Sequence, residues 1–170
     1  MERIDNIEQA KVKVLTDMNA FLSSIRGVSD ENVSDLGVGL SKLRSIRSSM
    51  YENLNQIQHE YLILQGLIWL RSNDHVPLGT QWYWNPRQTG DSTEPDLRGT
   101  SKGQGVISAE ATTSEKPQGV IDARMKNTMA KLNKMEGEKF YFIRTNPMER
   151  RANTKARNNG WQITVVKLKN

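Results

Sequence analysis

The sequence predicts a mainly α fold: a long helical hairpin or coiled coil, an extended polar linker and a small α+β C-terminal module. Three observations lead to this prediction. Apolar residues recur at alternating spacings of three and four over 3–26 and 36–71, the period of helices packed lengthwise. That period is lost over 72–118, where Gly, Ser, Thr, Pro and Asp are frequent. It resumes after residue 118 and is followed by two runs rich in β-branched and aromatic residues.

The first predicted helix covers residues 3–26. Gly27 follows it, at the position where glycine commonly ends a helix, and the polar segment up to Asp35 offers a cap for the next helix. Because this connection is short, the two helices are expected to be antiparallel neighbours. The apolar positions of the first helix are Ile4, Ile7, Val14, Met18, Phe21 and Ile25.

The second predicted helix, 36–71, would be about 54 Å long at the usual helical rise. Its apolar stripe is too broad for a two-stranded coil and favours a bundle. The stripe also extends past the end of the first helix over 61–70, so we expect another chain, or the C-terminal part of this one, to cover it. The predicted oligomer interface is Leu40, Leu43, Met50, Leu54, Ile57, Tyr61, Leu64 and Ile68.

Residues 72–118 are predicted to be an extended linker that contains one aromatic anchor. Trp82, Tyr83 and Trp84 are consecutive, and Trp and Tyr are common anchors of protein interfaces. We interpret these three residues as an anchor on a partner subunit. The alternative is that they fold back onto the apolar 61–70 segment of the same chain.

The C-terminal module, 119–170, is predicted to contain a Met-rich helix over 121–135 and two strands, 140–145 and 161–169. Between the strands, the order Asn146, Pro147, Glu149 is typical of a helix start. Residues 147–158 are therefore either a short helix or part of a long loop. The predicted domains are thus 1–71, 72–118 and 119–170.

Positive charge is concentrated in the C-terminal module. Its net charge is +8, against −3 for the preceding 118 residues. Such density suits contact with phosphate groups of DNA or RNA, although an acidic protein partner and simple solubility remain alternatives. The predicted binding residues are Arg144, Arg150, Arg151, Lys155, Arg157, Lys167 and Lys169.

No motif in the sequence indicates catalysis. Residues 99–103 match G-x-S-x-G, but both histidines, His59 and His75, precede that segment, and no buried strand is apparent before it. The chain contains no cysteine, and no phosphate-binding glycine loop is found. We therefore expect a protein that is not an enzyme, with no catalytic residue, cofactor, metal site or small-molecule substrate.

The low apolar content, 36%, and the lack of a long apolar run favour a chain that does not enter a membrane. No secretory signal is visible, which predicts an intracellular (cytoplasmic) location or one within a virus particle. The favoured function is a non-enzymatic, self-associating structural protein of a larger assembly, such as a virus or phage particle. The alternative is a nucleic-acid-binding accessory protein that is dimerised by the coiled coil.

Overall fold

A computed structural model describes residues 1–29, 33–73, 76–86 and 93–169. These residues form helices on both faces of a mixed sheet. The helices are α1 (Ile7–Ser29), α2 (Leu36–Ser72), α3 (Val120–Asn133) and α4 (Asn146–Asn159). The strands are β1 (Glu2–Ile4), β2 (Gln81–Trp84), β3 (Leu97–Ser101), β4 (Gln104–Ala111), β5 (Glu138–Ile143) and β6 (Thr164–Lys167).

The two long helices predicted from the apolar period are present. Helix α1 begins at Ile7 because the residues before it form β1, and the side chain of Asp35 caps α2 by accepting a hydrogen bond from the Val38 amide at 2.8 Å. The predicted coiled coil is not confirmed. The C-terminal half of α2 packs on a sheet as well as on α1, which accounts for the breadth of its apolar stripe.

The six strands lie in the sheet in the same order as in the chain. Strands β1 to β4 are antiparallel neighbours, whereas β4, β5 and β6 are parallel and are connected through α3 and α4. Three of these strands lie within 72–118, so the predicted linker is not confirmed. Strand β3 contains Gly99, and its turn into β4 uses Lys102 and Gly103 at positive φ, which suits a two-residue hairpin.

Helix α2 covers one face of the sheet, and α3 and α4 cover the other. A Cβ atom on Gly66 would lie 2.5 Å from Cε2 of Phe142, so only glycine allows α2 to approach the sheet this closely. Trp82 and Trp84 are buried in this core beside α2, while Tyr83 is half-buried. The interpretation of these aromatic residues as an anchor on a partner is thereby corrected, because the apolar end of α2 is covered by this chain's own sheet.

The C-terminal region has the predicted order of helix, strand, helix, strand. Helix α4 is present, and the side chain of Thr145, rather than Asn146, caps it by accepting from the Met148 amide. Strand β5 pairs with β4, so the two C-terminal strands continue the larger sheet and do not form a separate two-stranded unit. None of the described helices is both long enough and apolar enough to cross a membrane.

Candidate active site

A polar cleft of about 810 Å³ opens between α2, the carboxyl end of β4 and α3. Glu110 of β4 faces this cleft because successive side chains along a strand point to opposite faces of the sheet. Ile107 and Ala109 point toward the core beneath α2, so Glu110 points toward α3 on the other face. The side chains relevant to the argument below are Gln56, His59, Glu110, Thr112, Arg124 and Lys131.

Asp96 lies behind the cleft, immediately before β3, and is only 1% exposed. Its Oδ2 accepts a hydrogen bond from the Ala111 amide at 2.8 Å and lies 3.1 Å from Nε2 of His59. Its Oδ1 is also buried but accepts no hydrogen bond from any described residue. Buried polar atoms are nearly always paired, so Oδ1 is an acceptor that a water molecule or a ligand at this site could satisfy.

Glu110 is the second buried carboxyl group of the cleft, at 3% exposure. Its Oε1 lies 2.6 Å from Nζ of Lys131. Burial, and then the nearby charge of Asp96, raise the pKa of Glu110 to about 8, although Lys131 and His59 act in the opposite direction. Two carboxyl groups whose charges interact in this way are close together, and each favours the approach of a cation.

His59 connects α2 to this pair. Burial acts to lower the pKa of His59, but the hydrogen bond to Asp96 and its charge outweigh burial, and the pKa lies above its usual value. The contact with Asp96 Oδ2 therefore stabilises the imidazolium relative to the neutral imidazole. The two contacts to Oδ2, from His59 and the Ala111 amide, hold the carboxylate of Asp96 in one orientation.

The donor set fits a hard cation such as Mg²⁺. Among the described residues, no three or more His, Cys, Asp or Glu side chains are grouped to hold a metal ion. Mg²⁺ does not need such a cage, because it commonly binds through one or two carboxylates and completes its coordination with water and substrate phosphate oxygens. Asp96 and Glu110 supply such a pair.

No family model, curated protein or solved structure matches the chain. The function is therefore argued from the geometry of the site.

The basic residues predicted from the sequence do not line this cleft. Arg151 and Lys155 both pair with Asp122 of α3, at 2.7 and 2.9 Å. Lys167 donates to Oδ1 of Asn146, and Lys169 borders an apolar cleft beside α1. The others are spread over the surface: Arg144 lines a hollow beside α1 and α2, and Arg150 and Arg157 are exposed on α4.

The predicted oligomer interface on α2 divides into two parts. Ile57 and Leu64 are buried in the chain's own core. The remaining six are between 36% and 65% exposed: Leu40, Leu43, Met50, Leu54, Tyr61 and Ile68.

Asp96, Glu110, His59 and Lys131 were not predicted as site residues. The available signal was the segment 106–111, in which Val, Ile and Ala alternate with Ser and Glu, as in a strand with one charged position. Because small residues dominate its flanks, that alternation is weak. Lys131 and His59 lie on helices far away in the chain, and only the fold brings them to Glu110.

Proposed function

We propose that the protein is a divalent-metal-dependent phosphodiesterase that cleaves nucleic acid. Asp96 and Glu110 are the metal ligands and Lys131 is the cationic residue beside them. The proposal differs from the non-enzymatic role expected from the sequence. It rests on one observation: the two buried carboxyl groups of Asp96 and Glu110 interact with each other beside Lys131 at the edge of a polar cleft.

The residues of the cleft suit this chemistry. A bound divalent cation activates water and stabilises the charge of a phosphoryl group. Asp96 is held in one orientation by His59 and the Ala111 amide, so its carboxylate is already oriented before a metal binds. The ammonium group of Lys131 can pair with a phosphate oxygen as negative charge develops in the transition state.

Nucleic acid is the substrate class that the cleft favours. Cationic Arg124 and Lys131 line it with the acidic Glu52 and Glu110, and the remaining polar lining consists mainly of hydroxyl and amide side chains, which contact sugar–phosphate backbones. The hydroxyl and amide side chains are Gln56, Thr112, Thr113, Ser114, Asn127 and Thr128. The net charge of +5 for the whole chain supports the same substrate class.

The test is cleavage of plasmid DNA and of structured RNA with Mg²⁺ or Mn²⁺. Asp96→Asn and Glu110→Gln preserve shape but remove the carboxylates that would hold the metal, with Glu110 releasing its proton as the metal binds, and each is expected to slow cleavage by about 100-fold or more. Lys131→Met should also slow cleavage while leaving Mn²⁺ binding measurable by calorimetry. Glu138→Gln, an exposed carboxylate on β5, is the matched control.

Two outcomes would refute the proposal. One is wild-type protein that cleaves neither DNA nor RNA with either metal. The other is cleavage at the wild-type rate by Asp96→Asn and Glu110→Gln, which would mean that the activity resides elsewhere or in a contaminant.

Self-association is a second candidate function, favoured by the exposed apolar residues of α2. Leu40 and Leu43 lie in the part of α2 that extends away from the sheet, and their exposure supports contact with another copy within a larger assembly. The double variant Leu40→Asp/Leu43→Asp should reduce the light-scattering mass of nuclease-treated protein, because the interface would bury unpaired charge. Ser41→Asp/Ser45→Asp places the same charges on the same helix, and an equal effect of both variants would contradict this role.

A further inference from the structure

One face of α2 leads from the cleft toward the N-terminal end of the helix. Its residues are spaced by four, three, four and four positions, which places them on one side of a helix. They end at His59, which touches the metal-ligand candidate Asp96. The residues of this face are Arg44, Ser48, Tyr51, Asn55 and His59.

A second hollow lies along this face and shares one lining residue with the cleft. Tyr51 lines both the cleft and a neighbouring hollow of about 370 Å³ formed with Arg44, Arg47 and Ser48. The tyrosine side chain is 70% exposed. The hollow therefore adjoins the cleft at Tyr51, so a ligand too long for the cleft could reach both along the helix.

The side chains on this face match a sugar–phosphate backbone. Arginine forms paired hydrogen bonds with phosphate, and hydroxyl groups such as those of Ser48 and Tyr51 and the amide of Asn55 add single ones. Over residues 36–55 the helix carries Lys42, Arg44 and Arg47 against a single acidic residue, Glu52. The charge therefore favours a polyanion.

We propose that this face of α2, here called the α2 track, binds the nucleic-acid strand on one side of the bond that is cut. The inference rests on the proposed function for the identity of the ligand. From Arg44 to His59 the helix rises about 22 Å. At about 3.4 Å per base pair, this length corresponds to roughly six base pairs beyond the site.

The first experiment measures binding without cleavage, in EDTA. Fluorescence anisotropy follows a labelled 24-base-pair DNA duplex, and in a parallel series an RNA duplex of the same sequence, over a range of salt. If two phosphate contacts are lost, Arg44→Ala/Arg47→Ala should flatten the slope of log affinity against log salt by about 1.8. Arg3→Ala/Arg71→Ala removes two exposed cations at the other end of α2 and should leave the slope near that of wild type.

The second experiment measures cleavage with Mg²⁺ on whichever duplex binds. Arg44→Ala/Arg47→Ala should raise KM and leave kcat unchanged, because Arg44 on the track and Arg47 beside it would contact substrate and transition state equally. Arg44→Gln/Arg47→Gln, which keeps long polar side chains and helicity, should give the same KM change. Circular dichroism checks that each variant is folded.

The outcomes separate this inference from the proposed function. An unchanged slope for both arginine variants, an equal loss in the Arg3 and Arg71 control, or no binding of DNA and RNA by wild type would overturn the α2 track. Cleavage by both arginine variants with the KM of wild type would overturn the α2 track and leave the proposed function standing. If the arginine variants flatten the salt slope but wild type cleaves neither DNA nor RNA, the α2 track is supported and the proposed phosphodiesterase function is refuted.

Discussion

Glu110 shows how burial changes the chemistry of a single residue. Its carboxyl group has a pKa of about 8 rather than 4.5, chiefly because burial disfavours the charged form. The folded state therefore binds more protons than the unfolded state between these two pH values. In that window the free energy of unfolding must fall as the pH rises, as far as Glu110 contributes.

The first prediction concerns Glu110→Gln in EDTA. Glutamine does not titrate, so the variant should gain stability relative to wild type as the pH rises from about 5 to 8, in step with the Glu110 pKa. Urea unfolding at four pH values measures the difference. His59 contributes with the same sign, because its pKa is raised and its stabilisation is lost as the pH rises through the folded value.

The control for this prediction is Glu138→Gln, an exposed carboxylate. Its difference from wild type should stay constant over the same pH range. A constant difference for Glu110→Gln would contradict the raised pKa of Glu110.

At the residue scale, little of the site could be predicted from the sequence. The sequence around His59 offers no carboxylate at metal-ligand spacing, whereas the fold places Asp96, 37 residues later, within 3.1 Å. Contacts between α2 and the start of β3 depend on the tertiary fold and leave no local pattern. The same reason explains why Lys131 was not connected to Glu110.

At the scale of elements, the ion pairs of Asp122 fasten α4 to α3. Arg151 and Lys155 both reach this carboxylate, and their hydrogen bonds hold the pKa of Asp122 well below its usual range. Lys155 is only 8% exposed, and its ammonium donates to Asp122 Oδ2 at 2.9 Å. Two of the cations expected to bind nucleic acid thus have a structural role.

The second prediction is that Asp122→Asn lowers the free energy of unfolding by about 1–3 kcal/mol at neutral pH, because it leaves the Lys155 ammonium buried without an anion. Chemical denaturation measures this loss. Asp5→Asn breaks an exposed ion pair with Arg3 and should cost less than about 1 kcal/mol. Equal effects of the two variants would show that Asp122 is no more than a surface charge.

Helices were predicted better than strands, and the reason is physical. The apolar period of α2 extends over ten turns, so it is visible despite Gly66 within it. Strands β2 and β3 are four and five residues long and leave no comparable pattern. Gly99 in β3 lies against Thr80 and Trp82. Because glycine is more typical of loops than of strands, the sequence alone does not indicate that it belongs to a buried strand.

At the scale of the whole molecule, the candidate site joins α2, β3, β4 and α3 through Asp96, Glu110 and Lys131. A cation that binds the folded chain but not the unfolded one must stabilise the entire fold. The site is therefore expected to link metal binding to global stability.

The third prediction is that Mg²⁺ or Mn²⁺ raises the free energy of unfolding, by about 2.7 kcal/mol at one hundred times the dissociation constant. Thermal denaturation with and without metal measures the shift. Asp96→Asn and Glu110→Gln should abolish it, and Glu138→Gln should not. A shift that persists in Asp96→Asn would place the metal elsewhere on the chain.

Strand β1 has a consequence for the order in which the chain folds. It pairs Ile4 with Trp82, and both long helices lie between these residues, whereas β3 and β4 are joined by a tight turn. Closing the longer loop costs more conformational entropy. The three residues of this edge strand form few hydrogen bonds and contacts to offset that cost. We therefore expect the hairpin of β3 and β4 to form early, and β1 to join the sheet last and to leave it first.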